Sequence, residues 1–359
     1  MSPVNLVGLL PSELEDLAVE LGASRYRGRQ LATWMYRKSV FDLEAMTDLP
    51  KDFRQALAER AVVEVAELER EMPSADGSRK LVYVLDGGSR ISSVLMPDDE
   101  RITLCVSTQV GCGFACGFCL TGVMGLERNL TAGEIVGQVI AANRLLEEGR
   151  RATHIVFMGM GEPLANYAAL VKAIRILIDP KLGVGYSPRR ITVSTVGLVP
   201  GIDKLGREDL KVNLAISLHA TTEEQRDMLV PINRKYGLKE LLDACRRFPV
   251  KRRDRITFEY VMLKDVNDTD DDARRLVRLL HGIRAKVNLL PLNEAAGIPY
   301  ERPSDARVNR FAQIIADRGL TVSVRKSRGR DIRAACGQLI TESSRAKSPG
   351  QRLATLMQT

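Results

Sequence analysis

Scarcity narrows the class of this chain before any motif does. Its 359 residues hold only six cysteines, and no apolar run approaches the roughly 20 residues that cross a bilayer. The first residues, MSPVNLVGLLPSELEDL, carry no basic stretch ahead of their short apolar run, so no secretory signal is expected. The expected compartment is the cytoplasm, where thiols stay reduced and a disulfide framework has no support. Long low-complexity segments are missing too. With 45% hydrophobic residues and a mean hydropathy of −0.11, the chain has ample material for a large core.

Positive charge is in surplus. Lys and Arg number 53 against 45 Asp and Glu, giving a net charge of +8 and an isoelectric point near 9.2. Such a balance favours polyanionic partners, RNA or DNA. The runs VKRRDR (250–255) and VRKSRGR (324–330) read equally well as solvated faces.

Two regions differ in rhythm. Residues 1–95 read as a helical accessory region ending in a small β-hairpin. PSELEDLAVELG opens with Ser12 and Glu15 at capping-box spacing, YRGRQLATWMYRK and PKDFRQALAERA suggest two further helices, and Asp86-Gly87-Gly88-Ser89 marks a hairpin turn. From residue 102 strands alternate with helices: ITLCVST, HIVFMG, RITVST, NLAISLH, ITFEYVML, KVNLLPL and TVSVRK are the strands. That alternation predicts an α/β fold with a parallel sheet and right-handed crossovers, a barrel or partial barrel, with a doubly wound open sheet as the alternative. The polar stretch from about Ser343 reads as a loosely held tail.

The unusual residues fall at strand ends. GCGFACGFCL (111–120) follows the first strand, GMGEP (159–163) the second, STVG (194–197) the third, SLH (217–219) the fourth, and Asn293 follows KVNLLPL. In β/α barrels the C-terminal ends of the strands form the active-site face.

Cys112, Cys116 and Cys119 stand in C-x3-C-x2-C spacing with no second pair nearby. Thiolates suit zinc or iron–sulfur clusters. A closed zinc site needs four ligands, for which Cys105 is a candidate fourth. A [4Fe–4S] cluster held by three cysteines keeps one iron open to a small molecule. GMGEP is not a dinucleotide loop, since position 164 is Leu where a third glycine belongs and Pro163 breaks the pattern.

C-x3-C-x2-C after the first strand of a β/α barrel resembles the radical S-adenosylmethionine (SAM) superfamily. CVSTQVGCGFACGFCLTG, FMGMGEPLAN, SPRRITVSTVGLVPGI, LAISLHA, PIN (231–233), NLLPLN and RKSRGRDIRAACGQL together resemble the RlmN/Cfr family of RNA adenine methyltransferases, over about residues 95–342. PIN and the last of these segments lie nearer to RlmN than to Cfr.

The resemblance implies a radical SAM partial (β/α)6 barrel over 96–342, a small N-terminal helical domain over 1–95 and a polar tail over 343–359. It implies a [4Fe–4S] cluster on Cys112, Cys116 and Cys119, and two SAM molecules per turnover. Gly161, Glu162, Ser194, Ser217, Leu218, His219 and Asn293 are the implied SAM contacts. Cys336 would carry a methyl group to C2 of an adenosine in 23S rRNA and in tRNA. Cys105 would assist proton removal and release the product, leaving a Cys105–Cys336 disulfide. A flavodoxin or ferredoxin would donate electrons to a monomeric enzyme. Cys245, in helical DACRRF, reads as a core residue.

One position departs from the pattern. Family members that methylate C2 commonly carry a proton-accepting Glu where this chain has Ser92; Asp86 or Glu100 are candidate substitutes. The alternatives are Cfr-like methylation at C8 and a non-catalytic, zinc-stabilised RNA-binding protein.

Overall fold

The computed structural model describes residues 3–251 and 253–340; the expected tail at 343–359 lies outside them. One ten-stranded sheet organises the chain. Its strands are β1 (Glu67–Pro73), β2 (Arg79–Val84), β3 (Arg90–Asp98), β4 (Arg101–Cys105), β5 (His154–Phe157), β6 (Ile191–Thr195), β7 (Asn213–Ser217), β8 (Ile256–Met262), β9 (Ala285–Pro291) and β10 (Thr321–Val324). They lie side by side in chain order, from β1 at one edge to β10 at the other. β1 to β4 are antiparallel neighbours, whereas β4 to β10 are all parallel. The hairpin around Asp86–Ser89 therefore belongs to the same sheet as the barrel strands. A sheet with two free edges is a partial barrel, not a closed one.

The parallel half is covered by helices such as Ala132–Arg144, Tyr167–Ile178 and Asp305–Ala316. Each strand alternates. In β8, Phe258, Tyr260 and Met262 pack outward into the main core, while Val261 and Glu259 face a cavity inside.

Thr131 caps the helix Ala132–Arg144 as its spacing predicts: Glu134 N donates to Thr131 Oγ1 at 3.1 Å and Thr131 N to Glu134 Oε2 at 2.8 Å. The first helix starts differently from the Ser12–Glu15 expectation. It spans Pro11–Glu20, and Leu10 N donates to the Glu13 carboxylate at 2.7 Å. Pro11 occupies the first helical position, where its missing N–H costs nothing, so the start moves ahead of Ser12.

The C-terminal segment 325–340 crosses back to the hairpin strands at the opposite edge of the sheet. Ser74 Oγ and Ala75 N both donate to the Asp331 carboxylate, at 2.6 and 3.1 Å. Gly329 N donates to Asp76 Oδ2 at 2.8 Å, and Arg328 Nη1 to Pro97 O at 2.9 Å. Despite desolvation, the hydrogen bonds from Gly329 and Ser78 hold the Asp76 carboxyl down to about 2. This segment closes the open side of the barrel and carries Cys336.

Candidate active site

The cysteine loop leaves the barrel just after β4. Gln109–Gly111 pairs antiparallel with Leu126–Asn129, and the intervening chain folds over the strand ends. Local backbone bonds fix it: Cys112 N donates to Gly125 O at 3.0 Å and Cys119 N to Cys116 O at 3.1 Å. All three thiols are free and line one cavity of about 140 Å³. Desolvation pushes the Cys112 thiol up to about 12, with Cys119 adding; Cys116 is raised for the same two reasons. Thiols this reluctant to ionise become good ligands only when a metal centre supplies positive charge.

Among the described residues, no three His, Cys, Asp or Glu side chains converge closely enough to hold a single metal ion. Zinc would draw four ligands to about 2.3 Å from one point. Cysteines on an iron–sulfur cluster take different irons, so their sulfurs stand apart. The donor set, three free thiols from one loop around a shared cavity, fits a cluster.

Glu162 sits at the end of β5, 2% exposed. Leu164 N donates to its Oε1 at 3.1 Å and Val196 N to its Oε2 at 2.8 Å; its own N–H donates to Gln109 Oε1 at 2.8 Å. Desolvation raises its carboxyl to about 7 against those backbone donors. Gly161 makes the turn possible: its φ is +97°, and a Cβ there would lie 2.5 Å from Gln109 Cβ. A buried carboxylate at this rim suits a ligand ammonium group.

Ser194, Ser217 and Asn293, at the ends of β6, β7 and just past β9, line the same cavity. Asn293 Oδ1 is buried without a partner among the described residues, an acceptor waiting for a ligand donor. His219 also lines it, with φ +60°. Val261 N donates to His219 Nδ1 at 3.0 Å, which leaves the proton on Nε2, and desolvation, with Arg226 adding, drives its pKa down to about 3. Leu218 lies beside them with its side chain turned the other way. Its side chain is fully buried in the main core and lines neither of the cavities described here, because alternation along the strand turns it away from the Ser217 face.

Cys336 lines this cavity and also an adjoining one, which Cys105 lines with Val94, Met96 and Arg325. Strand pairing sets Cys105 between Val94 on β3 and Val156 on β5, facing inward. Desolvation raises Cys105 to about 12, with Cys336 adding and Arg325 opposing; it raises Cys336 to about 11, with Arg325 opposing and Glu259 adding. Both thiols are free, so the Cys105–Cys336 disulfide is not a bond of this fold. The resemblance places that bond at the end of turnover, by thiol attack on the Cys336 sulfur, and a chain that has not turned over keeps both thiols reduced. Cys245 is buried in the core, away from both cavities.

Three further residues escaped the sequence reading. Arg226, fully buried, donates to Val196 O at 2.6 Å, Leu218 O at 3.2 Å and Asn233 Oδ1 at 2.9 Å. It ties the ends of β6 and β7 together, and the Asn of PIN positions it. Arg325 lines both cavities from the end of β10. Glu259 lines the larger one from the middle of β8, whose seven residues are all buried. A lone acid inside an otherwise apolar strand was the available signal.

Residues 106–279 match the family model described as the radical SAM superfamily, and residues 4–63 match the ribosomal RNA large subunit methyltransferase N-terminal domain. The dual-specificity RNA methyltransferase RlmN of Geobacter sulfurreducens is 50% identical over 336 residues, covering 94% of this chain and 92% of that protein. RlmN of Anaeromyxobacter sp. is 52% identical over 335 residues, covering 92% and 88%. The crystal structure of a radical SAM methyltransferase from Sphaerobacter thermophilus superposes with a TM-score of 0.90 at 49% identity, covering 95% of this chain and all of that one. The cysteine loop, the strand-end polar groups and these matches along nearly the whole length agree: the chain belongs to the RlmN family of radical SAM methyltransferases and uses an iron–sulfur cluster and SAM.

Proposed function

We propose that this chain methylates C2 of an adenosine in 23S rRNA and in tRNA, by way of a methyl group carried on Cys336. One observation carries the reading. Cys105 and Cys336, far apart in sequence, line one cavity that adjoins the three-cysteine site. Adenine C2 is electron-poor and will not displace a methyl group as a nucleophile, so the carbon has to be delivered by a radical. When bound, a [4Fe–4S] cluster on Cys112, Cys116 and Cys119 and two SAM molecules per turnover supply the methyl group and the 5′-deoxyadenosyl radical.

The chain's own residues do the rest. Glu162 accepts a hydrogen bond from the SAM ammonium group. Asn293 Oδ1, Ser194 and Ser217 bind its polar edge. Cys336, whose ionisation Arg325 favours, accepts the methyl group as a thiolate and presents the thioether carbon to the base. Cys105 is the second thiol beside that sulfur and serves product release. The target adenosine leaves its stack to enter, and the basic surplus predicts salt-sensitive RNA binding.

The remaining assignments extend this reading. Residues 1–95 are the accessory unit and 96–342 the catalytic core. The enzyme works as a cytoplasmic monomer reduced by a flavodoxin or ferredoxin. No helix of the described residues is long and apolar enough to cross a membrane.

Nucleoside mass spectrometry tests the reading. Anaerobically reconstituted protein with SAM, reductant and unmodified 23S rRNA or tRNA is expected to yield 2-methyladenosine. Formation of 8-methyladenosine would move the assignment to C8.

A further inference from the structure

The C2 chemistry proposed above requires a proton acceptor, and the structure restricts which group can serve. The inference rests on that reading, in which a carbon borne by Cys336 becomes bonded to adenine C2. That ring carbon then holds its original hydrogen as well as the new substituent. The C2–H bond must break, its electron pair staying in the ring and its proton passing to a base.

Most candidates fail on placement. Ser92 is fully buried, its hydroxyl has no partner among the described residues, and it lines neither cavity. Asp86 and Glu100 are exposed and also line neither. Glu162 is committed to the SAM ammonium group in that reading, and its two oxygens also accept from Leu164 N and Val196 N. Burial holds Cys105 as a neutral thiol, which must give up its own proton before it can accept another.

Glu259 passes each test. It is 5% exposed and lines the same cavity as Cys336, close enough to disfavour ionisation of that thiol. Lateral pairing sets Ser217, Glu259, Asn288 and Ser323 in one row across β7 to β10. Ser323 Oγ donates to Asn288 Oδ1, and Asn288 Nδ2 donates to Glu259 Oε1 at 3.0 Å. This chain of bonds anchors one oxygen. The other, Oε2, is buried and has no partner among the described residues. Leaving a buried carboxylate oxygen unpaired is costly, which points to a ligand donor at that spot.

We propose that Glu259 is the proton acceptor for adenine C2–H, receiving the proton on Oε2. The carboxylate becomes a neutral carboxylic acid and no electron leaves the ring in this step. Burial favours the neutral acid, so the surroundings assist the transfer. Ser92 shares its face of β3 with Val94 and Met96, which line the cavity holding Cys105. A carboxylate introduced at 92 would point toward the same thiol pair.

The test uses the reconstituted holoprotein with SAM, reductant and unmodified tRNA or 23S rRNA, comparing the parent with Glu259→Gln. The variant is expected to release methyladenosine roughly a hundredfold more slowly, to cleave SAM within about threefold of the parent, and to accumulate a covalent protein–RNA adduct. Adding Ser92→Glu to that variant is expected to recover roughly tenfold of the lost release. A second readout needs no cluster. The pH profile of Cys336 alkylation by iodoacetamide on the metal-free chain, resolved by mass spectrometry, should move to lower pH in Glu259→Gln. Near-parental methyladenosine release by the variant overturns the proposal and leaves the C2 reading standing. So does loss of SAM cleavage, which would make Glu259 a cofactor-binding group, or an unmoved alkylation profile. A parent that forms no methyladenosine overturns both.

Discussion

The loop that carries Cys112, Cys116 and Cys119 is held by its neighbours in sequence, through the pairing of Gln109–Gly111 with Leu126–Asn129 and bonds such as Cys112 N to Gly125 O. The segment that carries Cys336 is held by residues from the far end of the chain, among them Ser74, Asp76 and Pro97. A backbone bond from Leu120 N to Gly337 O and a side-chain bond from Thr121 Oγ1 to Leu339 O join the two segments to each other. Local anchoring lets the cluster ligands keep their spacing independently of the hairpin. Remote anchoring lets Cys336 sit over the barrel only when both sheet edges are in place.

Disrupting the two regions separately should therefore give different failures. Cys112→Ala should remove one cluster ligand and reduce bound iron and sulfide, SAM cleavage and methylation to background, as metal analysis and product assays would show. Cys336→Ala should abolish methylation as completely while retaining iron, sulfide and SAM binding. If it also lost the cluster, the two regions would not be independent.

Arg226 tests the frame beneath both. Arg226→Ala leaves the carbonyls of Val196 and Leu218 without their donor, and a loss on the order of 3 kcal/mol is expected in denaturant unfolding. Parental stability would show that water replaces the guanidinium there.

Glu162 gives a pH signature of the cavity. Its carboxyl is raised from 4.5 to about 7. The stabilisation linked to that shift is fully present below pH 4.5 and is lost as pH rises through 7, amounting to about 3 kcal/mol in the ligand-free chain. In Glu162→Gln the thermal stability should fall less between pH 4.5 and 8, and SAM should bind more weakly at pH 8. An unchanged pH slope would place the titration elsewhere.

The smallest effect is expected at the exposed clamp. Asp331→Ala removes the acceptor for Ser74 and Ala75 and should speed Cys336 alkylation roughly threefold to tenfold without changing cluster content. No change would mean that Asp76 and Arg328 suffice to hold the segment.

The strand–helix alternation and the position of each odd motif at a strand end were legible in the sequence, because side-chain period and turn chemistry are local properties. The cluster ligands were legible for the same reason: Cys112, Cys116 and Cys119 share one loop. The inward row of β8 was not. Periodicity marks ITFEYVM as a buried strand without saying which face meets a cavity, so Glu259 passed as part of a strand until lateral pairing set it beside Ser217 and Asn288. Arg226 was hidden in a short amphipathic helix, and only its fully buried contacts with two strand ends reveal its task. Leu218 shows the converse, a motif residue whose side chain the strand turns into the core. By itself, then, the sequence determined the element order, the thiol loop and the charge balance, because each depends on residues close together in the chain. Tertiary structure alone decided that Arg226 ties two strand ends together and that Glu259 keeps one oxygen unpaired inside the cavity, because both depend on residues from separate elements being set side by side across the sheet.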